Sequence, residues 1–318
     1  VVKTEFAGEQ VEERYGGPEY ETVAAFGSLI MNDELSAIAL GNQKCNKYGL
    51  DTISVGEIIA TMMEASEKGL IEEEIEWGDA EKVMELIDKI AHREEIGDFL
   101  AKGIDNLEDE LGIDFAMEVK GQEMPFHDPR VKASQALSYA TSPRGANHLE
   151  TLHEHISEHP KELGVDLPIE RLELKTKAKF NKTYEEVMSF SNSAIVCWYT
   201  SIDVLNMGNY VYPVIRKVAE AVTGLELDAK EMLRIGERNL NLLKLLSARE
   251  GITKESDDLP KRFEEPIPKG PTSGATISRE ELENAIDEYY DLRGWNEHGP
   301  TQEKLDELEI DLKASEFY

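Results

Sequence analysis

Residues 228–249 read DAKEMLRIGERNLNLLKLLSAR. Asp228 stands three positions ahead of Glu231, the spacing at which a side-chain oxygen caps a first helical turn while the acidic residue reaches back to the cap. Met232 and Leu233 are followed by Leu240, Leu243 and Leu246 at steps of seven and three, which places them on one apolar stripe of a helix with 3.6 residues per turn. The stretch is an amphipathic helix, and its Met and Leu stripe is expected to lie in a core.

The same grammar recurs outward from this segment. Ser54/Glu57, Thr183/Glu186 and Ser278/Glu281 repeat the start signal. Ile58, Ile59, Met62 and Met63 form an apolar face after Ser54, and Asp79 precedes Val83, Leu86, Ile87 and Ile90. Ile96, Phe99, Leu100, Ile104 and Leu107 continue the pattern, while strand signals are few, Val1 to Phe6 being one. The fold class is therefore mainly α. Gly121-Gln122-Glu123-Met124-Pro125 breaks the helical run and reads as a boundary between helical domains 1–125 and 126–318. From Pro260 to Pro271, four of twelve residues are proline. Proline lacks the amide hydrogen a helix uses, so this stretch is expected to be an extended strap leading to a final helix from Ser278.

A length of 318 residues suits about two domains at roughly 150 residues each. With 34 basic and 65 acidic side chains the net charge is -31, a field that repels phosphate backbones and anionic lipid. Nucleic acid and membrane surfaces are accordingly poor partners. No apolar run approaches the roughly 18 residues of a membrane-spanning helix. Cys45 and Cys197 are the two cysteines, too few for a disulfide framework, and no secretory signal is evident, which predicts a cytoplasmic protein. The opening at Val1, without methionine, reads as a fragment or a processed product.

Several polar segments could carry chemistry. Gly16-Gly17-Pro18-Glu19-Tyr20-Glu21-Thr22 sets two carboxylates and a phenol beside a tight turn. They either complement a helix dipole or place a general base in a cleft. Asn46-Lys47-Tyr48-Gly49-Leu50-Asp51 contains a glycine where a helix would end. It is either a plain interhelical loop or one whose amide and carboxylate read the edge of a heterocycle. His127-Asp128-Pro129-Arg130 and Ser142 to His148 are polar turns on either side of the small-residue helix Ala133 to Ala140, and either turn could simply cap it. His148, His155 and His159 would share a helical face, but acidic surroundings and the lack of a cysteine weigh against zinc. Cys197 ends Asn192-Ser193-Ala194-Ile195-Val196-Cys197. A buried structural thiol is the simpler reading, and with no CxxC this chain alone cannot hold a four-thiolate cluster.

Taken in order, Gly17 to Thr22, Asn46 to Asp51, Arg144-Gly145-Ala146-Asn147-His148, Arg249-Glu250-Gly251, Asp257-Asp258-Leu259-Pro260 and Tyr289 to Trp295 resemble the signatures of the tungsten-dependent aldehyde:ferredoxin oxidoreductase family of anaerobic archaea and bacteria. The resemblance implies the two helical domains, second and third, of an enzyme that oxidises an aldehyde to a carboxylic acid. In that family two DxxGL(D/C) motifs border a bis-pterin (molybdopterin-type) tungsten or molybdenum cofactor, and the second ends in a cysteine that ligates a [4Fe-4S] cluster. Here the first motif starts with Asn46 in place of Asp, and the second departs at Asn192, Ile195 and Val196.

The resemblance therefore implies cofactor contacts at Asn46, Asp51, Asn192 and Val196, an iron ligand at Cys197, and catalytic roles for Tyr20, Glu21 and His148. It further implies ferredoxin as electron acceptor, a small aldehyde as substrate, and a homodimer as one possible assembly. The family's N-terminal sheet domain and its CxxCxxxC triplet have no counterpart in these 318 residues. On its own this stretch is thus expected to be colourless, inactive and without either cofactor. The rival reading is an acidic helical scaffold that needs no cofactor at all.

Overall fold

The computed structural model describes residues 3–151, 170–197 and 212–318. The chain divides into two compact units, Val1–Phe126 and His127–Tyr318. Both are mainly α.

In the first unit, the expected opening strand is a two-residue hairpin, β1 (Glu5–Phe6) pairing antiparallel with β2 (Glu9–Gln10). A short helix α1 (Tyr20–Val23) runs directly into a π turn over Ala24–Ser28. Helices α2 (Leu35–Tyr48), α3 (Thr52–Glu67), α4 (Ala80–His92), α5 (Ile96–Leu100) and α6 (Ile104–Leu111) follow. Their apolar stripes meet in one core that includes Phe26, Leu40, Ile59, Met62, Met63, Val83, Leu86 and Ile87. Asp79 caps α4 by accepting the Lys82 amide at 3.0 Å, as its position predicts.

Ser54 is not the cap of α3. Gly49 closes α2 in the left-handed region, so three residues separate the helices and the cap falls on Asp51, which accepts the Ser54 amide at 2.9 Å. The Ser54 hydroxyl instead donates to Glu123 at 2.8 Å. Glu123 belongs to β4 (Gln122–Glu123), which pairs with β3 (Glu118–Val119). Lys120 and Gly121, both at positive φ, make the tight turn between them.

The second unit is built around α8 (Lys177–Ser193), against which α7 (Ala133–Thr141), α10 (Ala229–Arg249) and α11 (Arg279–Arg293) pack. The short helices α9 (Tyr212–Thr223) and α12 (Gln302–Glu307) complete the described set. Asp228 and Ser278 cap α10 and α11 through the Glu231 and Glu281 amides. Thr183, read as a start, lies well inside α8, where its hydroxyl bonds back to the Lys179 carbonyl at 3.0 Å. That back-bond is how a threonine satisfies its hydroxyl within a helix.

Helix α8 is buried on nearly every face, its charged groups included. Arg293 of α11 lies fully buried and ion-pairs with Glu185 and Glu186, each at 2.7 Å. A lone buried charge would cost several kcal/mol, so these carboxylates and the guanidinium must be kept together. Gly236 lets α10 cross against α8. A Cβ there would lie 2.0 Å from the Glu186 carbonyl oxygen, and backbone cannot move aside cheaply.

Three expectations are corrected in this unit. Met232 and Leu240 of the α10 stripe are buried, but Leu243 and Leu246 are 38% and 44% exposed. The stripe is longer than the cover that α8 gives it. The proline-rich strap is not wholly extended, since Pro260 leads into a 3-10 turn, Lys261–Glu264, that buries Phe263. Nor is the helix from Ser278 the last one, because α12 follows it. No helix among the described residues is long and apolar enough to cross a membrane.

Candidate functional site

In the first unit, α1 opens with no side-chain cap from Glu19. Tyr20 and Glu21 both grip residue Phe126: the Tyr20 hydroxyl donates to its carbonyl and Glu21 Oε2 accepts from its amide, each at 2.8 Å. Burial raises the Tyr20 pKa, and the adjacent Glu21 carboxylate raises it further, so the phenol remains a donor at neutral pH. The π turn that follows places an extra residue in the helical ladder, a feature frequent at functional sites.

Thr22 and Thr52 share a hydroxyl–hydroxyl bond of 2.8 Å, which ties the Tyr20–Glu21 turn to the first residue of α3, beside Asp51. The structure thus brings the first two sequence motifs together. Asn46 and Asp51 are both exposed. The Asn46 amide nitrogen donates to the Asn42 carbonyl at 2.8 Å, and Asp51 uses one oxygen to cap α3. Cys45, by contrast, is buried, and burial followed by the Asp51 charge pushes its thiol up to about 12. Such a thiol stays protonated and is a poor nucleophile at neutral pH.

In the second unit, the loop from Ser142 to Glu150 is held from within. Ser142 Oγ accepts the Arg144 amide at 3.1 Å, Asn147 Oδ1 accepts the Leu149 amide at 2.8 Å, and Arg144 ion-pairs with the buried Glu150. Burial raises the Glu150 pKa, and Arg144 opposes that rise. The loop presents a half-buried His148, whose ring centroid lies 5.0 Å from that of His127 at a tilt of 40°. His153, His155 and His159 lie outside the described residues.

The same loop meets the end of α8 at a cavity of about 670 Å³. Arg144, Asn147, Ser189, Asn192, Ser193 and Asn239 supply its polar lining, and Leu242, Leu243 and Leu246 form an apolar wall. The part-exposed leucines of α10 therefore face this cavity, a placement that their helical spacing alone did not distinguish from core.

The two motif loops share one backbone form. Gly49 has φ 74° and Ile195, at the same place in the second motif, has φ 56°. The Leu50 amide donates to the Cys45 carbonyl at 2.9 Å, and the Val196 amide to the Ser191 carbonyl at 3.1 Å. Both are the six-residue closure of a helix that ends in the left-handed region. Glycine suits that position, whereas a β-branched residue there costs on the order of 1–3 kcal/mol. Ile195 adopts it nonetheless, 92% exposed. Val196 packs against the apolar cluster around Phe180 and Met232, and Cys197 stands exposed.

The sequence signature described as aldehyde ferredoxin oxidoreductase, domains 2 & 3, matches residues 1–310. The chain belongs to this family. A tungsten-containing aldehyde ferredoxin oxidoreductase of Pyrococcus furiosus is 37% identical over 314 residues, covering 95% of this chain and 49% of the relative. One from Thermococcus kodakarensis is 34% identical, with 92% and 48% covered. An aliphatic sulfonate oxidoreductase, WOR-like subunit, of Pyrococcus furiosus is 29% identical, with 92% and 46% covered. The chain spans about half the length of the curated relatives it matches. Among solved structures, the active-site complex BamBC of benzoyl coenzyme A reductase superposes with a TM-score of 0.74 at 20% identity. That comparison covers 97% of this chain and 52% of the other, and speaks for the fold.

Within the family frame, sequence reasoning missed His127 and the leucine wall. His127 was visible only as part of a polar turn, because its pairing with His148 spans 21 residues of chain. Leu243 and Leu246 carried a helical period that buried and cavity-lining leucines share.

Proposed function

We propose that this chain is part of a tungsten-pterin, [4Fe-4S] enzyme that oxidises an aldehyde to a carboxylic acid and passes the electrons to ferredoxin. The observation that carries the reading is the family match over residues 1–310, within which Asn46–Asp51 and Asn192–Cys197 end their helices in the same left-handed closure. A strained isoleucine retained in that geometry is best understood if the loop's backbone must meet a ligand.

The side chains fit such a group. Asn147, Asn192 and Asn239 offer amide donors and acceptors around the cavity, which suit the amide-like edge of a pterin. In the first unit Asn46 and Asp51 are exposed polar ends of the matching loop. Val196 would contribute its backbone, because its side chain is spent on the core. Cys197 is exposed and is suited to give one thiolate to an iron, while the remaining cluster ligands would come from outside these residues. When bound, the tungsten cofactor supplies a two-electron acceptor and the cluster an outlet for single electrons.

The chain's own residues then divide the proton chemistry. Glu21 takes a proton from the attacking water or aldehyde hydrate as general base. Tyr20 keeps that carboxylate in place by holding the other end of the residue, Phe126, that Glu21 also grips. His148 donates a hydrogen bond to the carbonyl oxygen of the aldehyde and steadies the charge that develops there.

Asn192→Ala in the complete protein tests the cofactor reading. Loss of a hydrogen bond to a charged or strongly polar group costs about 1.5–3 kcal/mol, so tungsten and pterin should be held roughly 10–100-fold more weakly. Far-UV circular dichroism and the unfolding temperature should match the parent. Undiminished tungsten and pterin content in the variant would remove Asn192 from the site.

A further inference from the structure

His127 opens the second unit and takes no part in the chemistry described above. Its backbone carbonyl accepts the hydroxyl of Tyr139, a fully buried residue of α7, at 3.2 Å. The turn that follows is fixed by Asp128, which accepts the Arg130 amide at 2.9 Å and holds the Arg130 guanidinium through both carboxylate oxygens. With Asp128 occupied by Arg130, Lys132 turns to the imidazole, and its Nζ lies 3.0 Å from His127 Nδ1.

A lysine ammonium has three donors and no acceptor. In this contact Nζ donates and Nδ1 accepts, and an imidazole whose Nδ1 accepts carries its proton on Nε2. The ring so fixed rests against His148, centroid to centroid 5.0 Å and tilted by 40°. His148 in turn rides on the loop pinned by Arg144 and Glu150.

We propose that His127 is a positioning residue for His148, held as its Nε2–H tautomer by Lys132 so that its ring fixes the plane in which His148 presents its nitrogens. A hydrogen bond weakens steeply once the donor swings out of line, so a ring that sets this plane governs whatever bond His148 makes. The consequence for aldehyde oxidation rests on the role given to His148 above; the tautomer and the ring contact do not.

The test is a long-range ¹H–¹⁵N correlation of the complete protein labelled with ¹⁵N at histidine. His127 should show a pyridine-like Nδ1 and a protonated Nε2. Lys132→Met should replace that signature by a mixture of tautomers, and Lys132→Arg, which retains a donor, should restore it. His127→Ala should move and broaden the His148 ring signals, whereas His127→Phe, which keeps a ring face, should leave them near their parental positions. A parental His127 protonated on Nδ1, or a Lys132→Met spectrum identical to the parent, overturns the proposal. So does a His148 spectrum indifferent to His127→Ala. If one His127 variant fails to fold, the two Lys132 variants still decide. No arm involves tungsten or an aldehyde, so a protein that oxidises no aldehyde would refute the functional reading and leave this result standing.

Discussion

Glu21→Gln, in the complete protein loaded with tungsten and cluster, is expected to lower aldehyde turnover by about 10²–10⁴-fold, the usual contribution of a positioned general base. Glutamine keeps the shape of the side chain, and its carbonyl oxygen can still accept the Phe126 amide that Glu21 now holds at 2.8 Å. The fold and the grip on Phe126 should therefore survive while the base is lost. Glu19 supplies the control. It is exposed and makes no side-chain cap bond at the start of α1, so its charge serves the helix dipole at most, worth about 0.3–1 kcal/mol. Glu19→Gln should leave turnover near the parental value. Steady-state oxidation with a viologen dye, measured beside metal content for each variant, separates a lost base from a lost cofactor. Near-parental turnover in Glu21→Gln, with turnover abolished in Glu19→Gln, would show that the base had been assigned to the wrong carboxylate.

The second large effect concerns the two cysteines. Cys197→Ala in the complete protein should abolish or destabilise the iron–sulfur cluster, because a vacated iron site must recruit water or another ligand. Cys45→Ala should leave cluster absorbance intact. The structure gives this asymmetry a physical basis: Cys197 is exposed beyond the end of α8, while Cys45 is buried in α2 with its thiol pushed up to about 12. A buried protonated thiol fills core space, and its removal costs stability without touching a metal. Iron content and visible absorbance of the two variants decide the matter. Cluster loss in Cys45→Ala together with retention in Cys197→Ala would refute the assignment.

The fold was legible where one local signal sufficed. Asp79, Asp228 and Ser278 cap the helices that their spacing predicts, and Gly49 ends α2 in the left-handed region. Ser54 and Thr183 fit the same pattern and cap nothing, because a serine or threonine three residues before a glutamate also occurs inside a helix. Which candidate wins depends on where the preceding element stops, as Gly49 shows by forcing the cap onto Asp51. The candidate site was legible as separate motifs. Its assembly was not, because the Tyr20 and Glu21 grips on Phe126 each span more than a hundred residues of chain. The pairing of His127 with His148 is tertiary in the same way. Ile195 illustrates a third limit: no propensity places a β-branched residue at φ 56°, and it is the helix-ending bond from the Val196 amide to the Ser191 carbonyl that holds it there.

The role proposed for these helical units is in a tungsten and iron–sulfur oxidoreductase of aldehydes. Its most direct test is anaerobic purification of the complete protein from cells supplied with tungstate, followed by metal analysis and viologen reduction with a simple aldehyde. The expected result is about one tungsten and about four irons per chain, the latter the content of a single [4Fe-4S] cluster, together with aldehyde-dependent dye reduction. A folded, colourless complete protein, free of tungsten and iron and inert towards aldehydes, would contradict it and leave an acidic helical scaffold in its place.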